Sequence, residues 1–100
     1  MTLLRITAAP EALRVEGEID LASADQLAEA LRTAIASEVR SVDVSGVTFL
    51  DSTGLEVLLS AGHAMNGDGP LVLLRPSYPV RRLLDIALPG GVPALAVRDD

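Results

Sequence analysis

The stretch "VTFLDSTGLEVLLSAG", Val47 to Gly62, joins two different hydrophobic patterns. Its first residues are apolar or β-branched, as in a strand, and from Leu55 onwards leucines recur at helical spacing. Between the two patterns stand four small or polar residues in a row, "DSTG" at 51–54. The stretch therefore predicts a strand that runs directly into a helix, with a short polar segment where they meet.

Outward from this stretch, short apolar runs alternate with longer amphipathic ones. Helices are predicted where apolar residues repeat every three or four positions, as Leu27, Leu31 and Ile35 do. The predicted strands are Leu3–Thr7, Leu13–Gly17, 41–47, 71–75 and Ala94–Arg98, and the predicted helices begin at Ser23, Thr53 and Ser77. Strands that alternate with helices form a largely parallel sheet with the helices packed against it. We therefore expect an α/β fold with a mostly parallel or mixed sheet of about five strands, in the order ββαβαβαβ.

Two of the predicted helix starts have the pattern of a capping box, in which a hydroxyl residue precedes a Glu or Gln by three positions. Ser23 with Gln26 has this pattern, and so does Thr53 with Glu56. In this interpretation the Thr53 hydroxyl caps the second helix. Ser52 then lies just outside the helix and is expected to be exposed.

The composition is that of one small acidic domain. The chain has 100 residues, a formal net charge of −6 and 49% hydrophobic residues, so we expect a single domain over residues 1–100. The absence of cysteine excludes disulfides, thiol catalysis and cysteine metal sites. All eight basic residues are arginines and only Arg81 and Arg82 are adjacent, which argues against nucleic-acid binding. Since the sequence has no signal-peptide pattern and no membrane-spanning run, we expect a cytoplasmic protein that does not insert into membranes.

The same residues could also belong to two other kinds of site, a hydrolase centre or a metal site. A serine hydrolase would need Ser52 to reach His63, but eleven residues of helix would separate them by about 16 Å. Asp20, Asp43 and Asp51 could meet at one edge of the sheet and hold a metal ion, although solvated loop carboxylates are the preferred interpretation. We therefore expect no enzymatic activity, no cofactor and no metal.

Three segments, taken together, resemble a known family. "GEID" at 17–20, "VDVSGVTFLDSTGLEVLL" at 42–59 and "RPSYPVRRLLDIALPGG" at 75–91 are similar, in order and spacing, to the STAS domain of bacterial anti-sigma factor antagonists. The resemblance extends from about Leu3 to Val97. Its most specific element is the pattern D-S-[ST]-G-L, preceded by G-E-[IVL]-D about thirty residues earlier.

The resemblance implies a phosphorylation-controlled partner switch that regulates transcription. By its position, Ser52 corresponds to the serine that an anti-sigma factor with serine kinase activity phosphorylates, and a phosphatase reverses the modification. The unphosphorylated protein would bind the anti-sigma factor, and the phosphorylated protein would release it. The residues that the resemblance places on the partner surface are Asp20, Asp51, Ser52, Thr53 and Gly54.

The sequence also departs from this family in two respects. Thr53 stands where the family motif has a second serine, which leaves two neighbouring hydroxyls as candidate phosphoacceptors. The sequence ends at Asp100, shortly after the last predicted strand, so the additional terminal helix that is common in these regulators is expected to be missing. Short STAS proteins of this kind also serve as cytoplasmic subunits of lipid-transporting ABC systems, a structural role that we keep as the alternative function.

Overall fold

The computed structural model describes residues 4–65 and 67–99 of the chain. In chain order its elements are β1 Arg5–Ala8, β2 Leu13–Ile19, α1 Ala24–Ala36, β3 Ser41–Leu50, α2 Ser52–Ala64, β4 Leu71–Leu74, α3 Tyr78–Ala87 and β5 Leu95–Arg98. The predicted order of strands and helices is therefore confirmed. Residue 3, where the first strand was predicted to begin, lies outside the described residues.

The five strands form a single mixed sheet in the order β1-β2-β3-β4-β5. β1 pairs with β2 antiparallel, and all the other neighbours are parallel. Each parallel connection contains one helix, as a parallel pair requires. The α/β fold class and the mixed five-stranded sheet are thus confirmed. This topology brings the carboxyl ends of β2 and β3 to one edge, where α1 and α2 begin.

The core is aliphatic and lies between one face of the sheet and the helices. Along β2 the buried residues alternate with more exposed ones, since Val15 and Ile19 are fully buried while Arg14 is exposed. Leu27 of α1 and Leu58 of α2 are fully buried in the same cluster. Because α1 also packs against α2, the starts of both helices are held in fixed relation to the sheet.

The capping box predicted for α1 is wrong. Ser23 occupies the N-cap position but its hydroxyl makes no cap hydrogen bond to the helix. It donates instead to the Glu18 carbonyl at 3.0 Å and accepts from the Asp20 amide at 3.0 Å. Gln26 points away from the cap, with Nε2 donating to the Leu4 carbonyl at 3.2 Å. The pattern marks the correct helix start, but tertiary contacts use both side chains elsewhere.

The third helix begins after Ser77, as predicted. The Ser77 side chain, however, makes no cap hydrogen bond to the helix. The Ser77 hydroxyl is buried and has no hydrogen-bond partner among the described residues. The Ser77 amide donates to the Val44 carbonyl at 3.3 Å, which places the start of α3 beside β3. Within residues 4–65 and 67–99, no helix combines the length and the apolar character needed to cross a membrane.

Candidate functional site at the start of the second helix

The helix α2 begins at Ser52, immediately after β3, and Asp51 is its N-cap. Asp51 has an extended backbone, with φ −104° and ψ −177°, and its Oδ1 accepts a hydrogen bond from the Gly54 amide at 3.0 Å. A carboxylate at this position satisfies an otherwise unpaired amide and interacts favourably with the helix dipole. The prediction that Thr53 is the cap is therefore wrong, and Ser52 is the first helical residue, not a residue outside the helix.

The two neighbouring hydroxyls differ in accessibility. Ser52 is exposed, as predicted, whereas Thr53 is half-buried. Glu56, one turn further along α2, is also exposed. The exposed hydroxyl of Ser52 thus lies at the positive end of a helix dipole, with the Asp51 and Glu56 carboxylates close to it in the sequence.

Gly54 affects the geometry of the site because it has no side chain. It is buried, and a Cβ at this position would lie 2.5 Å from both Cγ2 of Ile19 and Cδ1 of Leu50. A side chain there would have to displace the side chains of Ile19 and Leu50, at the ends of β2 and β3. The glycine therefore lets the first turn of α2 approach the sheet closely, and its contribution to the predicted partner surface is to set the position of Ser52.

Asp20 lies on the neighbouring loop between β2 and α1. Its Oδ1 accepts hydrogen bonds from the Ala22 amide at 3.0 Å and the Ser23 amide at 3.1 Å. The carboxylate therefore folds its own loop, as Asp commonly does in turns. Leu21, at the tip of that loop, projects into solvent.

The two loops belong to the same surface. The Asp51 amide donates to the Ile19 carbonyl at 3.2 Å, which joins the end of β3 to the end of β2. Leu21 and Thr53 line the same groove of about 750 Å³ between α1 and α2. The structure therefore brings the region of Asp20 together with the region of Ser52, although the two are separated by some thirty residues in the sequence.

The residues considered for a hydrolase or a metal site have other surroundings in the described part of the chain. Asp20 accepts hydrogen bonds from the backbone of its own loop, Asp51 accepts one from the Gly54 amide of α2, and Asp43 is paired with Arg75. No cluster of possible metal ligands occurs among the residues that the structure describes. His63 is exposed in the last turn of α2, at the opposite end of the helix from Ser52.

The ion pair of Asp43 and Arg75 was not predicted from the sequence. The Arg75 Nη2 lies 2.7 Å from Asp43 Oδ2, and Ser45 donates to Oδ1 through its amide at 3.0 Å and its hydroxyl at 2.7 Å. Burial by itself would raise the pKa of Asp43, but the Arg75 and Ser45 hydrogen bonds and the Arg75 charge together lower that pKa to about 2. A signal was present in the sequence, because an aspartate between two valines of a buried strand needs a partner.

The cap assignment leads to a stability prediction. Asp51→Ala removes the acceptor of the Gly54 amide and should cost about 1 kcal/mol of folding free energy. Thr53→Ala, the matched control, should cost clearly less, because Thr53 is not the cap. Urea unfolding of both variants measures the difference, and a larger loss for Thr53→Ala would contradict the assignment.

Solved structures of anti-sigma factor antagonists have the same fold. An antagonist from Mycobacterium paratuberculosis gives a TM-score of 0.69 at 22% sequence identity, covering 96% of this chain and 86% of that one. The unphosphorylated form of the antagonist SpoIIAA gives a TM-score of 0.62 at 21% identity, covering 100% of this chain and 88% of that one. At these identities the similarity is one of fold.

The sequence itself identifies the family. No curated protein matches the chain. Residues 2–88, however, match the family described as "Mlab, STAS domain". This match includes the strand β3, the DSTG segment and the whole of α2, and the five-stranded mixed sheet agrees with it. The chain therefore belongs to the STAS domain family.

Proposed function

We propose that this protein is an anti-sigma factor antagonist that works as a cytoplasmic partner switch. In its unphosphorylated form it binds an anti-sigma factor that is also a serine kinase, and it releases that partner once Ser52 is phosphorylated. A phosphatase acting on phosphorylated Ser52 restores binding. The observation that carries the proposal is the exposed Ser52 at the first position of α2, next to Thr53, which lines a groove together with Leu21 of the β2–α1 loop.

The helix start can accept a phosphate without a change of fold. A phosphoserine adds about −1.5 to −2 charges at neutral pH, and the N-terminus of a helix favours an anion. Ser52 is exposed, so the phosphate would remain in solvent when the protein is free. The domain itself therefore stays folded when it is modified.

The same phosphate opposes docking. A partner that covers Ser52 would have to remove water from a dianion that has Asp51 and Glu56 beside it. Charged groups that lose water without gaining a partner reduce affinity. Phosphorylation is thus expected to weaken binding through local electrostatics and hydration alone.

The switch is tested with two substitutions at one position. Ser52→Asp should weaken binding to the anti-sigma factor by about 1 to 3 kcal/mol, or about 5- to 150-fold, because it adds part of the phosphate charge. Ser52→Ala should bind constitutively, even after incubation with the kinase and ATP. Calorimetric titration measures both affinities, and melting curves show whether the fold is retained. The proposal is wrong if folded Ser52→Asp binds as tightly as the unmodified protein.

The choice of phosphoacceptor is tested separately. We expect the kinase to modify Ser52 in preference to Thr53, because Ser52 is exposed whereas Thr53 is half-buried against the groove. Mass spectrometry after incubation with the cognate kinase locates the phosphate. A phosphate found mainly on Thr53 would contradict the assignment.

A second function is favoured by one observation, the family description, which names Mlab alongside the STAS domain. In that case the domain would be a structural subunit of a lipid-transporting ABC system, and Ser52 would relay no signal. A pull-down of the tagged protein from its own cells separates the two. Recovery of an ATP-binding serine kinase supports the switch, and recovery of a transporter ATPase supports the structural role.

A further inference from the structure

We propose that Leu21 is the apolar anchor of the partner surface and that Asp20 is a positioning residue, which holds Leu21 in place instead of offering its charge to the partner. This inference rests on the proposed function, since its partner is the same anti-sigma factor. It assigns the binding contact to a residue outside the DSTG segment.

The hydrogen bonds of Asp20 are directed into its own loop. Its Oδ1 accepts from the amides of Ala22 and Ser23, and its amide donates to the Ser23 hydroxyl. The same hydroxyl donates to the Glu18 carbonyl, so the turn is tied to the last residues of β2. These bonds lie on both sides of Leu21 and hold its backbone in the turn.

Leu21 has an environment unlike that of its apolar neighbours. Its side chain is 77% exposed, whereas Ile19 and Ala24 on either side of the loop are buried in the core. Because Leu21 is exposed, its side chain gains little of the hydrophobic stabilisation that burial would give it in the free protein. A partner that covers Leu21 would recover that burial without having to order the loop first.

The position of Leu21 identifies the partner that covers it. Leu21 and Thr53 line one groove between α1 and α2, and Ser52 directly precedes Thr53. A protein that docks over Ser52 and the neighbouring Thr53 would also meet Leu21, which lines the same groove as Thr53. The expected complement is a small apolar pocket on the anti-sigma factor, of a size that accepts one leucine side chain.

This arrangement also explains how a phosphate on Ser52 would act. A phosphate holds a shell of water, and a partner that covers both Ser52 and Leu21 has to displace part of that water. Burial of Leu21 by such a partner and hydration of the phosphate therefore oppose each other. The competition supplements direct charge repulsion and requires no rearrangement of the domain.

The anchor is tested with a matched pair of truncations. Leu21→Ala should weaken binding to the purified anti-sigma factor about 10- to 100-fold, since it removes most of a leucine that is buried only in the complex. Ile86→Ala is the control, because Ile86 is 65% exposed on the last turn of α3 and lies outside the groove. It should bind as the unmodified protein does. Both side chains are exposed, so melting temperatures should change little.

The role of Asp20 is tested by a conservative substitution. Asp20→Asn keeps an oxygen that can accept from Ala22 and Ser23 and removes only the charge, so binding should remain within about threefold of the unmodified protein. Asp20→Ala removes the acceptor, frees the loop and should lose about as much affinity as Leu21→Ala. If Asp20→Asn loses binding as severely as Asp20→Ala, the carboxylate acts through its charge and the positioning role is wrong.

The outcomes separate this inference from the proposed function. If the unmodified protein binds the anti-sigma factor, Ser52→Asp releases it and Leu21→Ala binds normally, then the anchor is wrong and the switch stands. If Leu21→Ala loses binding while Ser52→Asp does not, the anchor stands and the phosphorylation switch is wrong. If the unmodified protein binds no anti-sigma factor, both are wrong.

Discussion

Gly62→Ala is expected to destabilise the protein: the free energy of unfolding should fall by about 2 kcal/mol and the melting temperature by about 8 to 16 °C. A Cβ on Gly62 would lie 2.3 Å from the Ala94 carbonyl oxygen, which is a backbone atom and cannot turn away. That oxygen also accepts the Leu71 amide at 2.9 Å, at the point where β4 and β5 begin to pair. Relieving the clash therefore moves α2 away from the sheet or breaks the first bond of the β4–β5 pair.

The size of this effect is a difference between two opposing terms. Alanine is favoured over glycine inside a helix by about 1 kcal/mol. Overpacking costs about 1 to 3 kcal/mol, and the upper end applies here because the atom in contact belongs to the backbone, so the net loss is about 2 kcal/mol. Ser60→Ala, an exposed position on the same helix, gains the propensity term without the clash and should be neutral or slightly stabilising. Thermal unfolding that shows Gly62→Ala as stable as Ser60→Ala would contradict the close contact of α2 with Ala94.

The second large effect is expected at Asp43. Asp43→Ala should cost about 2 to 3 kcal/mol, because it removes the acceptor for the Ser45 amide and hydroxyl and the counter-charge of Arg75. The Asp43 side chain is only 11% exposed, but the Arg75 side chain is 46% exposed. Because the Arg75 guanidinium is also partly in contact with water, the loss should be smaller than for a fully buried pair.

The lowered pKa of Asp43 gives this pair a pH signature. The pKa is 3.8 in the reference state and about 2 in the folded protein, so folding favours the ionised form. The resulting stability, about 2 kcal/mol, is fully present above pH 4 and is lost as the pH falls through 2. Urea unfolding at pH 5 and pH 2 should therefore show a smaller pH-dependent loss for Asp43→Asn than for the unmodified protein. Equal losses in both proteins would contradict the assigned pKa.

The fold was largely predictable because its main signals are local. Hydrophobic residues recur about every two positions in a strand and every three to four in a helix. The change from one spacing to the other occurs within a few residues, as in the stretch from Val47 to Gly62, and it locates each strand and helix. Alternating strands and helices then leave few sheet topologies, which is why the parallel arrangement could be predicted. The boundaries were less accurate, since β2 continues to Ile19, two residues further than predicted.

The candidate site was predicted in position but not in detail. The sequence placed Ser52 at a strand–helix junction, and its exposure follows from that position. Asp51, Ser52 and Thr53 are all competent caps, so composition could not decide among them. The extended backbone of Asp51 identifies it as the cap of α2, because only the residue before the first helical turn can direct its side chain to the Gly54 amide.

What the sequence by itself determined is the order of the elements, the family and the location of the serine at the start of α2. Only the tertiary structure decided which distant groups meet. Asp43 pairs with Arg75 across 32 positions, Gly62 gives space to the Ala94 carbonyl, and Leu21 shares a groove with Thr53. Hydrophobic period and capping act over three or four residues, whereas these contacts depend on strand order and helix packing, which bring together residues that have no local pattern in common.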